Sequence, residues 1–91
     1  MSEIPGFDVD KLSEWLIDRI ANEMEISPDE VSVDATFDDL GMNSLKVLIV
    51  ANDLAEFLNV EEVEQPLFFN YPTIQKLAEH LIREGRGTTR T

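Results

Sequence analysis

Hydrophobic positions in the first third of the chain follow the spacing of one helix face. Across residues 9–25 the apolar side chains recur every three or four positions, as on an amphipathic helix. The stripe consists of Val9, Leu12, Leu16, Ile20 and Met24, with Ile17 beside it. Asp8 or Asp10 stands where a helix cap is expected. The pattern predicts a first long helix over about residues 9–25.

A second long helix is predicted from Asn43 or Ser44 to about Asn59. At about 100° per residue, its positions divide into two sides. One side is apolar and consists of Val47, Val50, Ala51, Leu54, Phe57 and Leu58. The other side is mixed and consists of Leu45, Ile49, Asn52, Asp53 and Glu56. The mixed side is partly apolar although we expect it to face away from the core.

The last third of the chain predicts one short and one long helix. Residues 66–70 provide only about one helical turn, and Pro72 disfavours the helical conformation of Tyr71 before it. Residues 73–84 predict the long helix, with Gly85 at the position of a C-terminal cap. Its apolar stripe is Ile74, Leu77, Ala78, Leu81 and Ile82.

The segment between the first two long helices predicts a turn followed by a loop. Ser27, Pro28 and Glu30 have the types and spacing of a capping box at the start of one short helical turn. Residues 31–42 contain an alternating apolar patch that a strand would also show. Since a lone strand has no pairing partner, we expect a long ordered loop pinned by its apolar side chains.

These elements predict an all-α fold, a small four-helix bundle with three major helices and a short third one. The 91 residues suffice for one core. We expect a helical domain over residues 1–84 and a flexible tail or linker over residues 85–91, which are rich in glycine and polar side chains.

Charge and composition narrow the classes of partner. Nineteen acidic residues against seven basic ones give a net charge of −12, which repels nucleic acids and anionic membranes and favours partners with basic patches. Without cysteine, any thiol chemistry must come from a cofactor. The acidic N-terminus does not resemble a signal peptide, and the longest apolar run, residues 47–51, is too short for a membrane span. We expect a cytoplasmic monomer.

Ser44 is the residue whose position suggests chemistry. It follows an acidic loop at a helix N-terminus, where free N–H groups and the helix dipole favour a negative group such as a phosphate ester. The alternative is that Ser44, or Asn43 before it, is simply a helix cap. A catalytic serine would need a base, but we expect His80, the single histidine, to be a solvated surface residue. Ser44 is better interpreted as a residue on which another enzyme acts.

Two motifs carry a resemblance to a known family. Leu40-Gly41-Met42-Asn43-Ser44-Leu45, after an acidic loop and before an apolar helix, resembles the attachment site of the acyl carrier protein family. Phe69-Asn70-Tyr71-Pro72-Thr73-Ile74, with Leu77, Ala78 and Leu81, resembles the last-helix signature of polyketide synthase carrier domains. The resemblance extends from Leu12 to Leu81, nearly the whole chain.

The resemblance implies a carrier in polyketide or related fatty acid biosynthesis. Ser44 would receive phosphopantetheine from coenzyme A through a separate phosphopantetheinyl transferase and carry acyl groups as thioesters. The chain itself would not be an enzyme. Its partners would include a ketosynthase, an acyltransferase or acyl-activating enzyme, and a thioesterase or other tailoring enzymes. The family usually has aspartate where this chain has Asn43, which caps a helix about as well but lacks the charge.

A docking surface beside Ser44 is a further hypothesis. It consists of Asn43, Leu45, Ile49, Asp53 and Glu56, whose mixed apolar and acidic character suits partners with basic patches. The alternative is that Leu45 and Ile49 are partly buried under the preceding loop or the short third helix. We predict no metal site, because Asp34, Asp38 and Asp39 lack the spacing of a calcium loop. We expect the aromatic side chains Trp15, Phe68 and Phe69 to be packing residues rather than ligand contacts.

Two other classes of function stay open at this point. A peptidyl carrier of a nonribosomal peptide synthetase is the nearest competitor, although residues 41–43 lack the glycine-rich approach usual there. An acidic helical adaptor would share the charge and the bundle but would have no use for a modifiable serine.

Overall fold

The computed structural model describes residues 8–83 of the chain. These residues form four α-helices in the order α1 (Val9–Met24), α2 (Ser44–Leu58), α3 (Pro66–Asn70) and α4 (Ile74–Arg83). A single 3-10 turn at Pro28–Glu30 follows α1. The all-α prediction of three major helices and a short third one is confirmed. The predicted tail over residues 85–91, its boundary and the Gly85 cap lie outside the described residues.

The ends of α1 and α2 are set by side-chain and backbone caps. Of the two candidates for the cap of α1, Asp8 takes that role, because its Oδ1 accepts the Lys11 N–H at 2.8 Å. Both helices end where the next residue, Glu25 or Asn59, adopts a left-handed conformation with φ of 59°. Within the described part of the chain, none of the helices is long and apolar enough to cross a bilayer.

The core lies where the apolar stripes of the helices meet. Leu12, Leu16 and Ile20 of α1 are fully buried, and α1 packs against both α4 and α2. Trp15 and Phe57 stack at the α1–α2 junction with ring centroids 4.6 Å apart. The other buried apolar side chains of the helices are Ala21, Val47, Val50, Ala51, Leu54, Ala55, Leu58, Phe68, Ile74, Leu77, Ala78 and Leu81.

The connection from α1 to α2 is a long ordered loop, as predicted. It begins with the predicted capping box, in which Ser27 and Glu30 bind each other's backbone N–H groups. The loop buries Phe37, whose N–H donates to the Pro72 carbonyl oxygen at 2.9 Å. The loop forms no β-strand within residues 8–83, and its β-type pairing there is one isolated antiparallel bridge between Thr36 and Thr73. These contacts fasten the loop to the segment that begins α4.

Two side chains lie in surroundings other than those predicted. Phe69 was expected to pack, but 61% of it is exposed, whereas the neighbouring Phe68 is buried against Phe37. Consecutive helical residues point about 100° apart, so α3 can direct only one of these rings into the core. His80 was expected to be solvated, but it is half-buried and its ring stacks on Tyr71 with centroids 4.0 Å apart.

Candidate functional site

The loop reaches α2 through a tight turn at Gly41. Gly41 has φ of +90°, a conformation that residues with a Cβ rarely adopt, and its N–H donates to the Asp38 carbonyl oxygen at 2.9 Å. A Cβ at this position would lie 3.2 Å from the Met24 Cε. The next side chain, Met42, is buried in the core. The turn and this anchor bring Asn43 and Ser44 to the surface at the beginning of α2.

Asn43, and not Ser44, is the cap of α2. The Asn43 Oδ1 accepts the Lys46 N–H at 2.9 Å, and the Asn43 carbonyl oxygen accepts the Val47 N–H at 2.9 Å. Ser44 is exposed, and within residues 8–83 its hydroxyl group makes no hydrogen bond. The simple cap alternative therefore applies to Asn43. The hydroxyl of Ser44 is not used for capping and faces solvent.

The start of α2 fits a phosphate ester on Ser44. The first N–H groups of a helix have no partner within it, and Asn43 satisfies only that of Lys46 with its side chain. The N–H groups of Ser44 and Leu45 therefore add to the positive end of the helix dipole, which favours an anion there. In the described residues, no base is hydrogen-bonded to the Ser44 hydroxyl and no cluster of side chains suits a metal ion.

An ionic network joins α1 to the side of α2 that Lys46 and Asp53 share. The Lys46 Nζ lies 3.2 Å from the Glu23 Oε2, and the Arg19 Nη2 lies 3.0 Å from the Glu23 Oε1. The Arg19 Nε also lies 2.6 Å from the Asp53 Oδ2. The hydrogen bond from Lys46, followed by that from Arg19, lowers the pKa of Glu23. Two cations and two carboxylates thus fix α1 against α2.

The predicted docking residues occupy two sides of α2 rather than one. Asn43, Leu45 and Glu56 are exposed, and 62% of Leu45 is accessible. Ile49 is half-buried, and Asp53 is held by Arg19 of α1. The exposed stripe of α2 therefore includes Leu45 and Glu56 together with Leu48 and Asn52. Asp53 belongs to the flank towards α1, and Ile49 is half-buried beside the stripe.

Three residues on the segments next to Ser44 were not predicted from the sequence to belong to the site. Leu48 is 44% exposed and Phe69 is 61% exposed, and both are large apolar side chains. Gln65, just before α3, donates from its Nε2 to the Ser44 carbonyl oxygen at 3.0 Å. The three-residue step from Leu45 to Leu48 was a signal that these two share a face. The bond of Gln65 had no sequence signal, because its partner lies 21 positions away.

An apolar cavity of about 120 Å³ lies beside the beginning of α2. Met42 and Val47 line it together with the aromatic rings of Phe37, Phe68 and Phe69. Since Val47 belongs to the first turn of α2, part of the cavity wall is formed by the helical turn that begins at Ser44.

The fold defines the class of a small four-helix protein with an exposed serine at the beginning of its second helix. Residues 14–81 match the protein family described as "Phosphopantetheine attachment site". The chain belongs to this family, which implies a covalently attached phosphopantetheine group. The resemblance noted in the sequence is confirmed, and family membership favours a carrier over an acidic adaptor.

Similar proteins include polyketide synthases and carrier proteins of known structure. One is a subunit of the phenolphthiocerol/phthiocerol polyketide synthase of Mycobacterium tuberculosis, which is 36% identical over 70 residues. The match covers 77% of this chain and 4% of that relative, so the chain corresponds to a small part of it. The chain is a carrier domain homologous to those of polyketide synthases.

Two solved structures share both fold and sequence with the chain. A free-standing peptidyl carrier protein from Acinetobacter baumannii has a TM-score of 0.79 at 34% identity, covering 85% of this chain and 95% of that one. An acyl carrier protein from Anabaena sp. PCC 7120, described as having a variant phosphopantetheinylation-site sequence, has a TM-score of 0.76 at 34% identity. That alignment covers 91% of this chain and 92% of the other. The four-helix carrier fold is thus confirmed.

Proposed function

We propose that the Ser44 hydroxyl is the attachment point of phosphopantetheine in this chain and that the chain carries acyl intermediates of polyketide or related fatty acid biosynthesis. The single observation that supports this most is that Asn43, and not Ser44, caps α2. The exposed Ser44 hydroxyl therefore makes no hydrogen bond within the described residues. The family match and the similarity to part of a polyketide synthase support the carrier role.

The chemistry at Ser44 is a transfer from coenzyme A. An oxygen–phosphorus bond forms at Ser44 while the pyrophosphate bond of coenzyme A breaks, the nucleotide half leaves, and the serine proton passes to the transferase or to solvent. When bound, the group supplies a terminal thiol that holds acyl groups as thioesters. The chain itself displays the hydroxyl and provides a helix end that tolerates the phosphate charge. It catalyses no step of its own in this proposal.

The carrier role implies a set of partner enzymes. They are a phosphopantetheinyl transferase, a ketosynthase, an acyltransferase or acyl-activating enzyme, and a thioesterase or another tailoring enzyme. We propose that Asn43, Leu45 and Glu56 contact these partners, because all three are exposed. Asn43 caps α2 next to Ser44, and Leu45 and Glu56 lie on the exposed stripe of α2. Asp53 holds that stripe in place through its ion pair with Arg19 of α1, and Ile49 is half-buried beside it. A monomeric state and a cytoplasmic location, both expected from the sequence, belong to the same proposal.

Mass spectrometry tests the attachment directly. The full chain is incubated with coenzyme A and a broad-specificity phosphopantetheinyl transferase. We expect a mass increase of one phosphopantetheine in the native chain and in Ser32→Ala, a control that removes another exposed serine. Ser44→Ala should show no increase. A native chain that stays unmodified, or a Ser44→Ala variant that is still modified, would overturn the proposal.

A peptidyl carrier is the second candidate, supported by the similarity to the Acinetobacter baumannii protein. Both candidates share the attachment at Ser44 and differ in the cargo. The intact mass of the chain isolated from its native source would distinguish an acyl group from an aminoacyl or peptidyl group on the arm.

A further inference from the structure

Gln65 links the beginning of α3 to the residue that we propose as the attachment point. Its Nε2 donates to the Ser44 carbonyl oxygen at 3.0 Å, so a side chain next to α3 is bound to the first residue of α2. Gln65 precedes Pro66 and occupies the N-cap position of α3, where its side chain makes no capping hydrogen bond. The amide therefore serves a contact between helices rather than the end of its own helix.

The position of α3 depends on such contacts because the helix is too short to hold itself. It contains five residues, far fewer than an isolated helix needs for stability in water. On the core side, Phe68 is 1% exposed and its ring lies 5.1 Å from that of Phe37. On the side of α2, the hydrogen bond of Gln65 is the direct polar link to Ser44. These two contacts place α3 relative to the attachment point.

Exposed apolar and acidic side chains lie on the segments next to Ser44. Leu45 and Leu48 of α2 and Phe69 of α3 are the exposed large apolar side chains in residues 8–83. Phe69 lines the cavity together with Val47 of the first turn of α2, which places its ring beside that turn. Asp38, which lines the same cavity, and Glu64, which precedes Gln65, are exposed, and neither forms an ion pair within the described part of the chain.

We propose that Gln65 is a positioning residue, which holds Phe69 beside Ser44 so that the enzyme that modifies Ser44 contacts α2 and α3 as one surface. The proposal rests on the proposed function. The chemistry of the surface defines the partner as a protein face with an apolar recess for Leu45, Leu48 and Phe69, bordered by lysine or arginine side chains. Those cations would meet Asp38 and Glu64, two carboxylates with no intramolecular cation to satisfy them among the described residues.

Modification kinetics of matched variants test the proposal. The full chain is incubated with coenzyme A and a broad-specificity phosphopantetheinyl transferase, and initial rates are measured at several chain concentrations. Gln65→Ala should raise KM for the chain by about threefold or more, as expected for the loss of one hydrogen bond that orders the docking surface, with kcat little changed. Gln75→Ala is the control, since it removes a glutamine whose amide donates to Glu79 within α4. Its KM should equal that of the native chain.

A double-mutant cycle separates positioning from general stability. If Gln65 acts through Phe69, then Phe69→Ala should raise KM by itself, and adding Gln65→Ala to it should raise KM no further. Additive effects in the double variant would overturn the positioning role. So would a native KM in Gln65→Ala. A merely structural role would change the unfolding midpoint of Gln65→Ala while leaving KM unchanged.

A second variant at Gln65 is used if the first one does not fold, and modification of the native chain separates the two proposals. Should Gln65→Ala fail to fold, Gln65→Met keeps the length of the side chain, lacks the N–H donor, adds no charge and takes its place in the same cycle. If the native chain is modified at Ser44 but the cycle is additive, the positioning role fails while the proposed function stands. A native chain that is never modified removes the proposed function itself.

Discussion

The Arg19 Nε lies 2.6 Å from the Asp53 Oδ2, a contact that joins α1 to α2 across 34 positions of the chain. Arg19 also binds Glu23 one turn further along α1, and Glu23 binds Lys46 of α2. Burial by itself lowers the pKa of Arg19, but its hydrogen bonds with Asp53 and Glu23 raise that pKa overall. Asp53 therefore belongs to the contact between two helices, and its carboxylate is already paired.

Neutralising Asp53 should lower the stability of the folded chain. Asp53→Asn removes the charge that pairs with Arg19, and we expect a loss of at most about 1 kcal/mol in the free energy of unfolding, because the Asp53 side chain is 43% exposed. Urea unfolding of the variant measures this loss. Asp18→Asn is the matched control, since it removes one exposed charge that forms no ion pair within residues 8–83. Equal midpoints for both variants would contradict the prediction.

Glu23 should give the chain a pH-dependent part of its stability. Its pKa in the folded chain lies below the ordinary value of 4.5, so the unfolded chain binds more protons there. The stabilisation from Glu23 is thus fully present at pH values above the ordinary pKa of about 4.5, and it is lost as the pH falls through the lower pKa of the folded state. The difference in unfolding free energy between the native chain and Glu23→Gln should be constant near neutral pH and shrink below that value. Urea unfolding across a pH series measures it.

Glu14→Gln is the control for this pH series. Glu14 is exposed on the same helix and forms no ion pair within the described residues. Its substitution also removes one negative charge, so both variants relieve the general repulsion equally. The prediction would be contradicted if the difference in unfolding free energy between the native chain and Glu23→Gln stayed constant down to acid pH.

The helices themselves could be predicted from the sequence because their signals are local. The apolar stripe of α1 and the capping types at Asp8, Ser27 and Asn43 act over three or four positions, and the structure uses them in that way. The choice between Asp8 and Asp10, or between Asn43 and Ser44, was left open by the sequence. Both members of each pair have suitable side chains, and the backbone conformation decides which one caps.

The exposed side of α2 could be predicted only in part because it depends on its neighbours. Leu45 and Glu56 are exposed as expected, but the flank that contains Asp53 is covered by Arg19 of α1. The angle at which α1 crosses α2 is set by packing between distant segments, which a helical wheel of one segment does not contain. The exposure of Phe69 has the same origin, since the contact of Phe68 with Phe37 fixes the rotation of α3.

Added salt should raise the thermal midpoint of the chain. Its net charge of −12 is what remains after every basic residue has been counted, so repulsion between carboxylates destabilises the folded state. Salt at about 0.15 M shortens the range of these interactions to about 8 Å. Thermal unfolding in dilute buffer and in sodium chloride of that concentration measures the effect. A midpoint that stays flat or falls would contradict it.

Substituting Gly41 should destabilise the turn that leads to Ser44. Gly41→Ala places a Cβ on a residue with φ of +90°, and we expect a cost of about 1–2 kcal/mol in the free energy of unfolding. Gly41→Asn should cost less, because asparagine tolerates positive φ better than alanine does. Urea unfolding of both variants measures this order. The reverse order would show that the contact with the Met24 Cε, rather than the backbone, determines the cost.

Two substitutions at Asn43 separate its capping role from its lack of charge. Asn43→Ala removes the acceptor of the Lys46 N–H and should cost about 1 kcal/mol in the free energy of unfolding. Asn43→Asp keeps the acceptor and adds a negative charge at the positive end of α2, so it should be at least as stable as the native chain. Urea unfolding measures both. One outcome is that Asn43→Asp is as stable as the native chain and still has a lower KM for modification of Ser44. That result would show that a basic group of the transferase interacts with the carboxylate beside the serine. An unchanged KM would limit Asn43 to capping.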